Sequence, residues 1–166
     1  KVPKENLLGE EKMGFKIMMK ELARERLIVA IMAVGGAKGA IEQTLQYTTE
    51  RTAFKQPIAG FQNTQFKLAE ATAKLQIHQS FIDDCTLLLN KHELSAEAAS
   101  LAKFSATDMH GQVVDECLQL HGGYGYIWEY PIARMYADNR VARIYAGTNE
   151  IMKLLISRGL YKNMLD

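Results

Sequence analysis

Residues 27–34 read Leu27-Ile28-Val29-Ala30-Ile31-Met32-Ala33-Val34. A helical stretch that is apolar on every side belongs among other helices rather than on a surface. Its eight residues are too few to cross a bilayer. Outward from it the pattern stays helical, which predicts one long helix from about Gly14 to the neighbourhood of Arg51. Gly35, Gly36 and Gly39 each weaken helix propensity by roughly 1 kcal/mol relative to Ala. They mark either a close approach of backbone or ligand, or a local kink.

Beyond Glu11 only Pro57 and Pro131 interrupt the chain, and β-branched alternation is scarce, so the expected class is all-α. After a turn at Gln56-Pro57-Ile58-Ala59-Gly60, a second helix carries Leu68, Ala71, Leu75, His78, Ile82, Cys85 and Leu89 at spacings of three and four. That is the seam of a bundle. Ser95 can cap a third helix with Glu97 in its first turn, and the helix runs to Gly122. Shorter helices are predicted over residues 131–138 and 148–160, the latter capped by Thr148. The expected architecture is a four-helix up-down bundle with short additional helices. Residues 1–10, with Val2-Pro3 and Gly9, read as the exit of a preceding domain, and residues 11–166 as the helical domain. Lacking an initiator Met, a signal h-region or an Arg-rich transit pattern, the chain reads as a fragment.

Lys+Arg 20 against Asp+Glu 19 leaves a formal charge of +1, which excludes a broad electrostatic footprint for nucleic acid or anionic lipid. With 48% hydrophobic and 23% charged residues, the 166-residue chain has the balance of one globular domain with a real core. Cys85 and Cys117 do not form a close metal-ligand spacing and read as buried thiols. His78, alone on an apolar seam, reads as a packed, hydrogen-bonded residue.

Two glycine-bearing segments interrupt the bundle, Gln119-Leu120-His121-Gly122-Gly123-Tyr124-Gly125-Tyr126 and Ala146-Gly147-Thr148. A helix end followed by Gly-Gly-x-Gly can cradle a phosphate, or it can be a plain glycine C-cap. Arg51 reads either as an anion ligand or as a solvated charge pairing with Glu50 or the helix dipole. Leu22, Glu25, Val29, Met32 and Gly36 form one stripe of the first helix, which places Glu25 on the apolar seam. A carboxylate there is either a base whose pKa burial raises, or half of an ion pair with a neighbouring Arg.

In order and spacing, four motifs resemble the C-terminal helical domain of the acyl-CoA dehydrogenases, and the likeness runs from Val2-Pro3 to Leu160. They are Glu50-Arg51-Thr52-Ala53-Phe54-Lys55-Gln56-Pro57-Ile58 with Gln62 downstream, the segment from Gln119 through Tyr126, Glu129-Tyr130-Pro131, and Ile144-Tyr145-Ala146-Gly147-Thr148-Asn149-Glu150-Ile151. Lys55 stands where the family pattern usually has Gly, which puts the local turn geometry in question.

The resemblance implies a flavoenzyme whose FAD is shared between subunits of a homotetramer, with electron-transfer flavoprotein as acceptor. It implies Arg51 at the FAD pyrophosphate with Phe54 and Gln62 close by. It also implies Gln119, Leu120, His121, Gly122 and Gly123 at the flavin of a neighbouring subunit, and Thr148, Asn149 and Glu150 at the end of the FAD. A mitochondrial matrix location is implied in a eukaryote, a cytoplasmic one in a bacterium. In much of the family the residue before Gly-Thr is a Glu that acts as catalytic base; here it is Ala146. The long-chain and isovaleryl branches place that Glu on the first helix, before an Arg and an apolar run, and Glu25-Arg26-Leu27 matches. Trp128-Glu129-Tyr130-Pro131 and Lys20-Glu21-Leu22 lean toward the long-chain branch. The implied reaction is FAD-dependent α,β-dehydrogenation of a fatty acyl-CoA to the trans-2-enoyl-CoA. Glu25 would be the base, Arg26 would lie by the CoA moiety, and Tyr145, Ala146 and Gly147 would lie at the substrate. Alternatives are an isovaleryl-like or other branched short-chain dehydrogenase, and a non-catalytic acyl-CoA-binding or oligomerisation module. The fragment alone is expected to be inactive and to self-associate through surfaces that other domains would cover.

Overall fold

The computed structural model describes residues 1–161. After an exposed leader with one short 3-10 turn at Lys4–Asn6, helix α1 runs Gly14–Glu50, α2 Gln62–Asn90, α3 Ala96–His121, α4 Pro131–Asn139 and α5 Asn149–Tyr161. The all-α expectation holds. Side-chain pairings fix the helix directions. Arg26 meets Ser100, Gly36 meets His110 and Tyr47 meets His121, in the same order along both helices, so α1 and α3 are parallel. Lys67 pairs with Glu116 and Lys74 with Gln112, so α2 runs against α3. Lys153 lies over Phe104, and Gly159 packs on Glu97, so α5 runs against it too. The course is up-down-up-down. α5 rides on α3, and α4 closes the edge between α1 and α3.

Small residues set the central contact. Ala30, Ala33, Ala37 and Ala40 of α1 and Ala99, Ala102 and Ala106 of α3 are all buried at helical spacing, so the two backbones can approach closely. Thr44 and Thr48 sit wholly inside the same helix, where their hydroxyls donate to the carbonyls of Ala40 (2.7 Å) and Thr44 (2.8 Å). Those bonds remove the penalty of burying a hydroxyl. Ser95 caps α3 by accepting from the Ala98 N–H at 3.0 Å, and Thr148 caps α5 more loosely, accepting from the Ile151 N–H at 3.4 Å. Cys85 and Cys117 are free and buried. His78 is half-buried and its Nδ1–H donates to the Lys74 carbonyl, a bond within its own helix.

One expectation needs correction. Of residues 27–34, Leu27, Val29, Ala30, Ala33 and Val34 are buried, but Ile28, Ile31 and Met32 are exposed. Neighbouring helices cover one side of α1 and leave the other bare. For the same reason α1 as a whole is long and apolar enough to cross a membrane by length and composition, while half of its apolar window is packed inside the bundle. Of the three glycines, Gly36 gives the close approach, since a Cβ there would lie 2.6 Å from the His110 ring, and the helix runs on unbroken.

Between α1 and α2 the chain makes a small antiparallel hairpin, β1 (Thr52–Ala53) with β2 (Gln56–Pro57). Its two turn residues, Phe54 and Lys55, have φ of 51° and 67°. Left-handed backbone at both centres matches the right-handed twist of a hairpin and explains why glycine suits the position of Lys55. Lys55→Gly is expected to raise stability by about 1 kcal/mol, because a Cβ in that region is strained. Urea denaturation checks this; an unchanged midpoint would mean the strain is absent.

Candidate functional site

One end of the site is an apolar cavity of about 210 Å³ between α1, α3 and α4, lined among others by Val29, Met32, Gly36, His110, Met135 and Tyr145. Three of the five stripe residues of α1 therefore meet Tyr145. Glu25 precedes Val29 by one turn, on the same face. It is exposed rather than buried on the seam, because α3 covers the neighbouring face of α1 at this level, where Arg26 and Leu27 are buried, and no described helix covers the face of Glu25. The ion-pair alternative is not realised: Arg24 pairs with Glu21 at 3.7 Å, and Glu25 has no salt bridge among the described residues. Arg26 is the buried member of this turn. Its guanidinium faces α3 and donates to Ser100 Oγ at 3.4 Å, and burial lowers its pKa against the opposing pull of Glu25. The side chain expected beside CoA thus packs inward in this chain, because its register on α1 turns it to the α3 seam.

His110 was not singled out from sequence. It is 8% exposed, its Nε2 has no hydrogen-bond partner among the described residues, and burial followed by the charge of Arg143 pushes its pKa down to about 4. The ring is neutral at physiological pH and adds no charge to the cavity.

The turn after Tyr145 is held open by two successive left-handed residues, Ala146 (φ 54°) and Gly147 (φ 90°). The φ of Gly147 favours glycine, and a Cβ there would also lie 2.8 Å from Met152 Cε, the end of a flexible side chain that would have to shift. Beneath the turn sits Lys103, wholly buried, whose Nζ donates to the Gly147 carbonyl at 2.8 Å and to Asn149 Oδ1 at 2.7 Å. Asn149 Nδ2 in turn donates to Thr107 Oγ1 (3.0 Å) and Asp108 Oδ1 (2.9 Å). The Asn149 side chain is therefore committed inward, and a cofactor could meet only its backbone. Thr148 spends its hydroxyl on the α5 cap and Glu150 is exposed. A lysine among Ala99, Ala102 and Ala106 was the available signal for Lys103, and sequence reasoning passed over it.

At the far end of α1, a groove of about 530 Å³ is lined by Tyr47, Arg51 and Ile58, then by Gln119, Leu120, His121, Gly122, Gly123 and Tyr124. The structure thus brings Arg51 together with the whole Gln119-to-Gly123 segment. Tyr47 stacks on His121 at 4.2 Å between ring centroids and donates its hydroxyl proton to the His121 carbonyl at 3.2 Å. Burial lowers the His121 pKa, while its Nδ1 bond to the Cys117 carbonyl opposes the shift. Arg51 lies 5.3 Å over the Tyr124 ring and is not paired with Glu50, which accepts from Gln46 instead. An exposed guanidinium stacked on a ring keeps its donors free for an anion. Phe54, 91% exposed, projects at the hairpin tip and packs edge-on to Phe61 at 6.2 Å. Gln62 begins α2 beside it and is exposed. Phe54 and Gln62 are not part of the groove wall.

The chain is similar to several known proteins. The porcine (Sus scrofa) mitochondrial long-chain specific acyl-CoA dehydrogenase is 46% identical over 158 residues, 95% of this chain and 37% of its own. A caffeyl-CoA reductase-Etf complex subunit of Acetobacterium woodii is 40% identical over 162 residues, 98% of this chain and 43% of its own. A solved acyl-CoA dehydrogenase complexed with FAD from Bacillus anthracis superposes with a TM-score of 0.90 at 39% identity, covering 98% of this chain and 31% of that one. The chain therefore spans well under half the length of the relatives it matches. The family model for the acyl-CoA dehydrogenase C-terminal domain matches residues 12–161, and the chain belongs to that family.

Proposed function

We propose that this chain is the C-terminal part of an FAD-dependent enzyme that dehydrogenates fatty acyl-CoA between the α and β carbons, with Glu25 as the base. The observation that carries the reading is the shared wall of one apolar cavity: Val29, Met32 and Gly36 line it with Tyr145, and Glu25 lies one turn further along their face. An acyl chain fits such a lining, and Glu25, exposed and without a salt bridge among the described residues, is free to accept the α-proton. Ala146 leaves room where a second carboxylate would crowd the reacting carbons. The thioester would lie at Gly147, where an absent side chain lets backbone approach.

The groove at the other end of α1 fits FAD. Arg51 offers a permanent fork of donors for a pyrophosphate, and a Cβ at Gly122 or Gly123 would meet nothing within 4 Å, so the backbone there is open to a ligand. Gln119, Leu120 and His121 would complete that wall. Phe54 and Gln62 would flank the cofactor from the hairpin side, and Thr148, the Asn149 backbone and Glu150 would face its other end. The chemistry FAD supplies when bound is acceptance of a hydride from the β-carbon.

A long-chain substrate is supported by the name of the porcine relative, and an Etf-type electron acceptor by the name of the A. woodii one. The remaining walls would come from the rest of the longer protein, assembled as a tetramer. Anaerobic titration of the full-length protein with acyl-CoAs of increasing chain length tests the reading. Bleaching of flavin absorbance that strengthens toward long chains is expected. Bleaching by branched short chains alone would select the isovaleryl-like alternative, and no bleaching by any acyl-CoA would leave a binding module.

A further inference from the structure

Lys103 is a costly residue where it stands. It is 0% exposed, on an α3 face otherwise made of Ala99, Ala102 and Ala106, and burial lowers its pKa while Asp108 and Glu150 pull the other way. A buried ammonium contributes less to stability than a well-packed apolar side chain of similar size, and such groups are kept where they fix one arrangement. What it fixes is local. Nζ holds the Gly147 carbonyl and Asn149 Oδ1, and Asn149 is anchored back to α3 through Thr107 and Asp108. Thr107 closes the loop by donating its hydroxyl to the Lys103 carbonyl at 2.8 Å. The segment so held, Ala146-Gly147, is the least relaxed backbone near the cavity, with a non-glycine residue in the left-handed region. Such a conformation persists only where its surroundings over-determine it.

We infer that Lys103 is a positioning residue for the proposed reaction: its ammonium pins the Gly147 carbonyl and so sets where the Ala146–Gly147 turn presents its backbone to the acyl thioester. The inference rests on the dehydrogenase reading. A turn displaced by a fraction of an ångström still leaves a cavity able to bind acyl chain, so the defect belongs to turnover rather than binding.

The test uses the full-length holoenzyme with Lys103→Met, which keeps the stem and removes the charge, and Lys103→Gln, which keeps one amide donor. If the Met variant does not accumulate as folded protein, the Gln variant carries the test. The expected result is a kcat for flavin reduction lower by about 100-fold, with KM changed by less than about 3-fold. A second readout is amide hydrogen exchange of residues 146–150, expected to accelerate by at least about 10-fold while the α1–α3 core keeps its protection. Faster exchange with an unchanged kcat would make the clamp purely structural and overturn the inference, and so would unchanged exchange. If the unaltered enzyme reduces no flavin with any acyl-CoA, the dehydrogenase reading fails first and takes the inference with it.

Discussion

Glu25→Gln in the full-length protein is expected to slow acyl-CoA-dependent flavin reduction by roughly 10²–10⁴-fold, the span typical of a lost general base. FAD content and melting temperature should stay as they were, because Glu25 is exposed and has no salt bridge among the described residues. Substitutions at such positions usually shift stability by less than about 0.5 kcal/mol. Rapid-mixing spectrophotometry at saturating substrate reads the chemical step directly. A variant that bleaches at the full rate would remove Glu25 from the mechanism. Adding Ala146→Glu to that variant returns a carboxylate from the opposite wall. Ala146 already has left-handed backbone, so the larger side chain introduces no new kind of backbone strain. Partial recovery of the rate would show both positions facing one carbon, and an absence of recovery would place them at different ones.

The second large effect concerns stability. A Cβ at Gly125 would lie 2.6 Å from the Leu118 carbonyl oxygen, 3.1 Å from Leu118 Cγ and 3.2 Å from His121 Cβ. The first obstacle is backbone inside α3 and cannot swing aside as a side-chain end does. Gly125→Ala should therefore destabilise by about 3 kcal/mol, at the upper end of overpacking effects. It should also disturb the Arg51 groove, since His121 both abuts Gly125 and stacks on Tyr47. Gly123→Ala is the natural comparison: nothing lies within 4 Å of its added Cβ, so stability should move by less than about 0.5 kcal/mol, and any loss would appear in FAD retention. Chemical denaturation of the two variants side by side decides the matter. Equal midpoints would show that the last glycine of the motif is not a packing residue.

The helices were legible because their signals are local. Ser95 with Glu97, Thr148, Pro131 and the spacings in α2 each specify a start or a face within a few residues. The hairpin was not legible, since Phe54 and Lys55 are residues that rarely take left-handed backbone, and the family pattern hinted at it only through its missing glycine. For the site, periodicity put Glu25 on the stripe with Val29, Met32 and Gly36, but a stripe names a face and not what covers it. That is why burial of Glu25 was expected and exposure found. Arg26, one residue along, is turned to α3. The meeting of Arg51 with Gln119 to Gly123 came from motif likeness alone, because no local spacing joins segments that far apart. Lys103 escaped notice because a lysine is ordinarily read as solvated, and its partners Gly147 and Asn149 lie on another element.

The unbroken course of α1 works as a ruler. Glu25 stands about a third of the way along it and Arg51 just past its C-terminal end, separated by 26 residues, which at 1.5 Å per residue is roughly 40 Å along one axis. That is longer than the reach of one flavin dinucleotide from its reactive ring to its pyrophosphate. If both side chains serve the roles proposed here, they serve different cofactors: each copy lends its base to one and its arginine to another. A lone copy would then hold two halves of different sites and no whole one. Activity measured against protein concentration would fall off steeply on dilution, with the subunits rather than the substrate setting the midpoint.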